Sequence, residues 1–314
     1  MAIRLFDWRD LPALIRYRHR GLFLDKALVL TRGTRLVPAG ALLSYFAPAT
    51  GIYTYLCTDD CSPKHPLIGQ VMHNSGNSIA RLSFLAPQGE LGSNGLSKLL
   101  EYMFFQVGER GAMHLLAEVD EQSPVFEILR QNSFAIYARQ RIWQLKDGPT
   151  GEGKPTPWRE GTDRDLIPVR SLYNNLVPGL VQQVEHPPAN HINGLVYKEG
   201  HDLLAYIEIK SGARGIWLHP FVHPDAKDIA ARFVDLFQNI PNRRSRPLYI
   251  CIRSYQSWLE SHVENLGAEA SPLQSVMVKH LAITKKVAQP MALRNLEPGH
   301  PEATAPFIRS ESKK

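Results

Sequence analysis

The sequence predicts an α+β protein of two tandem domains, each a mainly antiparallel twisted sheet flanked by helices. Three observations predict it. A stretch rich in glycine, proline and charge, Lys146–Pro157, breaks the apolar patterning near the middle of the 314 residues and reads as a linker. The segments on either side of it open and close alike: Asp7-Trp8-Arg9-Asp10-Leu11-Pro12 matches Thr162-Asp163-Arg164-Asp165-Leu166-Ile167-Pro168, and Gln122-Ser123 and Gln256-Ser257 each begin a helix, a small break and a long strand. Between those ends, strand-like runs are followed by helix, strand, helix and strand. The resulting division is residues 1–146, a linker at 147–156, a shorter second domain at 157–286, and a proline-rich tail at 287–314 expected to be partly disordered.

In the first half, Pro66–Met72 and Ser78–Leu85 are apolar runs joined by His73-Asn74-Ser75-Gly76-Asn77, a hairpin signal. Leu96, Leu99, Leu100, Met103, Phe104 and Val107 make one helical face, which Gly111 ends. Met113–Val119 reads as a buried strand. Ser123 caps the next helix, with Pro124 in its first position, and Phe134–Leu145 is the last strand. In the second half, Leu203–Ile209 and Gly215–Val222 read as a hairpin. Ile229, Phe233, Val234 and Phe237 mark a helix, Leu248–Arg253 a strand, Ser257–Leu266 a helix and Ser275–Thr284 the final strand.

Composition bounds the function. With 44% hydrophobic and 21% charged residues the chain is globular and long enough for real cores. Three cysteines exclude a disulfide scaffold and read as reduced thiols in a cytoplasm. The start, Met1–Asp7, carries charge where a secretion signal needs an apolar run. Leu36–Thr58 has no charged residue, but its prolines and glycines read as helix, turn and strand rather than a membrane span. The net charge of +6 is mild for this length. It suits an anionic small molecule and does not imply nucleic acid, the basic clusters Arg16–Arg20 and Arg243–Arg246 reading as solvated faces.

The local sequences resemble the GNAT superfamily of acyl-CoA-dependent N-acyltransferases, present twice in tandem. The carrying residues in the first half are Ala80–Pro87, the loop Gly92-Ser93-Asn94-Gly95, the helix start Leu96–Glu101, and Leu129–Phe134, similar to the family's final helix and its entry into the next strand. In the second half they are Pro220–Ala226 and Asn265-Leu266-Gly267-Ala268. The resemblance implies a bulged strand that splays from its neighbour and offers backbone groups to the pantetheine arm, followed by a helix N-terminus facing the pyrophosphate. It places acetyl-CoA or another acyl-CoA on Phe84, Leu85, Ala86, Gly92, Ser93, Asn94, Gly95 and Leu96, and an unknown amine as acceptor. Both cofactor motifs are degenerate. Leu91, Asn94 and Leu96 stand where the usual loop has Arg or Gln, Gly, and Gly or Ala, and the loop His223–Asp228 has no glycine and two aspartates.

Acyl transfer to an amine needs a base and a proton donor for the departing thiolate. The family's tyrosine is absent near Leu129, and the candidates left are Glu118 at a strand end and Tyr137 in the next strand, with Tyr102 as a further substitute. No metal is expected: Cys57, Cys61 and His65 lack zinc-site spacing, and His219 and His223 sit too far apart along a strand. Two functions follow: an N-acyltransferase with its cofactor in the first half, or a catalytically inactive module that binds a ligand or protein in the old cleft. A cleft lined by free N–H groups favours the enzyme. One plugged by side chains such as Leu91 or Leu96 favours the binding protein.

Overall fold

The computed structural model describes residues 2–58, 66–91, 94–146 and 156–281. The expected linker, apart from Thr156, and the tail lie outside them. The first half runs β1 (Ala2–Leu5), α1 (Leu11–Tyr17), β2 (Leu22–Phe23), α2 (Lys26–Arg32), α3 (Leu36–Phe46), β3 (Ile52–Thr58), β4 (Leu67–Met72), β5 (Ile79–Ala86), α4 (Asn94–Glu109), β6 (His114–Asp120), α5 (Pro124–Gln131) and β7 (Ala135–Leu145). The second runs β8 (Trp158–Glu160), α6 (Leu166–Leu176), α7 (Gly179–Gln182), β9 (Gly194–Glu199), β10 (Asp202–Ser211), β11 (Ile216–Val222), α8 (Ile229–Gln238), β12 (Leu248–Arg253), α9 (Glu260–Glu264), β13 (Glu269–Ala270) and β14 (Gln274–His280).

The repeated openings have a physical basis. Asp10 caps the first turn by accepting from the Asp7 N–H and pairs with Arg4, and Asp165 does the same with Thr162 and Arg159. The apolar face read from Leu96 to Val107 is buried as expected and packs on β3 and β4. The helix expected from Ser257 is instead a tight 3-10 stretch, Ser254–Leu259, followed by the short α9. The strand β2, the helix α2 and the strand β9 carry too little periodic signal to be read from sequence.

Two sheets were expected; the described residues form one continuous sheet of fourteen strands. Its path is β1-β3-β4-β5-β6-β14-β7-β12-β11-β10-β9-β8. The last strand of the second half, β14, lies between β6 and β7 of the first. In return, β7 pairs β12 along Gln140–Leu145 and also takes β13. Each half therefore hands its closing strand to the other. All pairs are antiparallel except β5–β6 and β11–β12, which occupy the same place in each half. Both parallel pairs hold for only three residues, Ile79–Arg81 on His114–Leu116 and Ile216–Leu218 on Leu248–Ile250, and then part.

Separate cores sit under α4 and under α8, and a third cluster joins Ala138 of β7 and Val276 of β14 to Val169, Tyr173 and Phe221 of the second half. Helix α2 reaches across to the β10–β11 hairpin. The Arg214 N–H donates to the Thr31 carbonyl at 2.8 Å, and a Cβ on Gly212 would overlap that same carbonyl, so only glycine admits the helix there.

Candidate functional site

In the first half, Ser83 is left unopposed where the β4–β5 register shifts, which is the bulged strand the resemblance implies. Beyond it the gap between β5 and β6 is filled by the chain itself. Leu22 and Phe23 pair with Leu85 and Phe84. The Leu24 N–H donates to the Ser83 carbonyl at 3.0 Å, and the Glu118 N–H of β6 donates to the Leu24 carbonyl at 2.8 Å. The segment thus behaves as a short strand between the two that part. Gly21 lets it approach, because a Cβ there would strike the Phe84 ring. Leu24 is buried with Leu91 and Leu96 in one core. Phe84, Leu85 and Ala86 are likewise fully buried; Phe84 and Leu85 pair with the inserted strand, and Ala86 pairs with Ile68 of β4. Asn94 and Gly95 form the start of α4, while Gly92 and Ser93 lie outside the described residues.

The second half reaches the same result by another route. The β10–β11 ladder is regular from Ala205–Val222 to Ser211–Ile216, with no bulge. The Gln256 side chain bridges the parting β11: its Oε1 accepts from the Val222 N–H at 2.9 Å and its Nε2 donates to the Pro220 carbonyl at 2.9 Å. In the loop before α8, the Asp225 N–H donates to His223 Nδ1 and the Ala226 N–H to the His223 carbonyl. Two of the loop's N–H groups are thus bonded within the loop itself. An acyl-CoA arm laid in either gap has to displace what fills it.

A cavity of about 640 Å³ lies on one face of the shared sheet. Arg81, Glu118, Trp217, His219, Phe221 and Arg253 line it from the strands, and α2 and the segment around Glu185–Asn193 line it from above. Strand alternation explains the set: Leu248, Ile250 and Ile252 point to the α8 core, so Cys251 and Arg253 point to the cavity.

Charge is concentrated here. Arg253, 5% exposed, donates from Nη2 to Glu185 Oε1 at 2.7 Å, and the Tyr137 hydroxyl donates to the same oxygen at 2.5 Å. Burial pushes the Glu185 carboxyl up, but the Arg253 and Arg81 guanidiniums and the Tyr137 bond outweigh it and hold it below its ordinary range. Burial, followed by the Glu185 charge, raises the Tyr137 phenol well above its ordinary value. Glu118 accepts from the Lys26 N–H at 2.9 Å and stands 3.9 Å from Arg81. Burial and then Asp25 raise its carboxyl. His219 sits 3.7 Å from Glu208 and is held below the usual histidine range, first by burial, with Arg253 adding to it. Burial raises the Cys251 thiol to about 12, leaving it a packed hydrophobe.

Glu118 lines this cavity and Tyr137 bonds to Glu185 in its wall. Glu118 is also structural: its N–H and its carboxylate both hold the β2–α2 segment. Sequence reading missed Arg81, Glu185, Glu208, His219 and Arg253 as a group, because they come from strands and a loop far apart in sequence. Tyr102 instead packs edge-on against Tyr55. Cys57 is disulfide-bonded, against the reduced state expected, which takes its sulfur from any zinc site. Cys61 and His65 lie outside the described residues. Among the described residues no group of three or more metal-ligating side chains is placed to hold an ion, and no helix is long and apolar enough to cross a membrane.

Comparison with solved structures identifies the architecture. A GCN5-related N-acetyltransferase from Sphaerobacter thermophilus superposes with a TM-score of 0.53 at 11% identity, covering 89% of this chain and 95% of that one. A tandem GNAT protein from the clavulanic acid biosynthesis pathway superposes with a TM-score of 0.51 at 13% identity, covering 89% and 98%. No family model and no curated protein matches the sequence. At these identities the likeness concerns the fold: the chain carries the GNAT fold twice in tandem.

Proposed function

We propose that this tandem GNAT fold has lost acyl transfer and serves as a binding module for a small ligand in the cavity shared by its halves. The observation that carries the reading is Leu24, hydrogen-bonded to β5 on one side and β6 on the other, where the acyl-donor arm would lie. Gln256 closing the second gap supports it independently. The cavity, in contrast, is roomy, lined by convergent polar groups and built by both halves, the usual features of a ligand site.

Acyl transfer in the first half is the competing reading, favoured by Glu118 and Tyr137 converging on one charged network. Isothermal titration of the full chain with acetyl-CoA, beside Gly95→Glu, separates the two. The binding reading expects no heat even at millimolar acetyl-CoA. Micromolar binding that Gly95→Glu abolishes would overturn it, assign the cofactor to the first half and call for a screen of amine acceptors.

A further inference from the structure

The charges lining the cavity are balanced and mostly paired in advance. Four cations, Arg32, Arg81, Lys210 and Arg253, face four carboxylates, Asp25, Glu118, Glu185 and Glu208. Arg253 sits 2.7 Å from Glu185, Lys210 3.2 Å from Glu208, and Arg81 3.9 Å from Glu118. Asp25 is spent on the Leu28 N–H at the start of α2. Arg32 stands at the exposed end, and deeper in the cavity a ligand bringing net charge would have to compete with an existing ion pair and would pay its own desolvation. A zwitterion would find no separated poles.

What remains unspent is hydrogen-bonding capacity of both kinds. Arg253 Nε and Nη1 and His219 Nε2 are buried and find no partner among the described residues. With its Nδ1 turned to the Glu208 carboxylate, neutral His219 leaves Nε2 as an acceptor, while the Arg253 nitrogens are donors. Hydroxyls, which both donate and accept, match these two needs. Beside these atoms stand flat apolar surfaces. Phe221 stacks on Tyr206 with ring centroids 5.9 Å apart and 10° between planes, the His219 ring lies 4.5 Å from Phe221, and Trp217 lines the same space.

Resting on the binding reading above, we infer that the cavity takes a neutral polyhydroxylated molecule, a sugar or polyol, through Arg253 and His219 with its C–H face against the Tyr206–Phe221–Trp217 wall. The ligand's hydroxyls satisfy the orphaned atoms, and its lack of charge leaves the existing ion pairs intact. The cavity's size is within the ordinary range for small-molecule sites.

The test uses the full chain and a fixed panel. Glucose, maltose and myo-inositol represent neutral polyols, glycine and glutamate the charged alternatives, and acetyl-CoA the acyl donor. Thermal shift and saturation-transfer difference NMR read binding, with transfer expected from aromatic protons to ligand C–H protons. The expected result is saturable binding of at least one neutral polyol. It should weaken about tenfold in His219→Leu, the size of one lost hydrogen bond. Arg253→Lys, which keeps the charge but changes the donor geometry, gives a second measure if His219→Leu fails to fold. Binding confined to glycine, glutamate or acetyl-CoA overturns the ligand class. For the two amino acids the binding reading stands; for acetyl-CoA it falls as well. Polyol binding that folded His219→Leu and Arg253→Lys leave unchanged overturns the assigned residues. No saturable binding by any probe removes both the inference and the cavity's role.

Discussion

Gln256→Met isolates the work of the side chain that closes the second gap. Gln256 is 2% exposed, and its amide makes two hydrogen bonds of 2.9 Å to the backbone of β11. Methionine keeps the length and most of the volume but offers neither donor nor acceptor. The Val222 N–H and the Pro220 carbonyl would be left buried without partners, at about 1–3 kcal/mol each. Local relaxation would recover part of that loss, so the expected destabilisation is about 3 kcal/mol. For a chain of this size that corresponds to a Tm lower by about 5 °C. Urea unfolding followed by circular dichroism, with Tm from calorimetry, measures it. A loss below about 1 kcal/mol with an unchanged urea slope would refute the reasoning, because β11 would then satisfy its backbone without Gln256.

Removing residues 272–314 takes β14 from between β6 and β7, exposing two long strand edges, and the truncated chain should be recovered aggregated, as scored by size-exclusion chromatography. In Asp165, hydrogen bonding from Arg159 outweighs burial, and Lys198 and Thr162 add to it, holding the carboxyl far below its ordinary range. Its stabilisation is complete above the unfolded value near about pH 4 and is lost as pH falls through the folded value. Asp165→Asn should therefore lower the urea midpoint at neutral pH, by about 1–2 kcal/mol of stability since Arg159 is half exposed, and the deficit should shrink in strong acid. His219, facing Glu208, Arg253, Glu185 and Phe221, is held below the ordinary histidine value. The unfolded chain then binds more protons there, so its contribution is full above about pH 6.5 and declines as pH falls toward the folded value. His219→Leu should show a smaller drop in urea midpoint between neutral and mildly acidic buffer than the parent.

Much of the fold was legible because its signals are local. The face from Leu96 to Val107, the Ser123–Pro124 helix start and the paired openings at Asp7 and Thr162 each depend on neighbours within a few residues, so periodicity and capping reveal them. The sequence by itself therefore determined the tandem α+β order and the degenerate cofactor loops. Of the two residues that the sequence reading names, Glu118 lines the cavity and Tyr137 bonds to Glu185 in its wall.

Tertiary structure alone decided three things. The strand exchange rests on pairing between residues such as Val276 and Ala138, and nothing in a strand's own alternation says which half it will join. The filling of the first gap rests on Leu22–Asp25, a segment too short to carry a period, whose position is set by hydrogen bonds to Ser83 and Glu118. The cavity's chemistry rests on Arg253 meeting Glu185 and on His219 meeting Glu208, contacts between residues distant in the chain. Side-chain alternation could say that Arg253 leaves the α8 core, but only the packed sheet says what it meets on the other side.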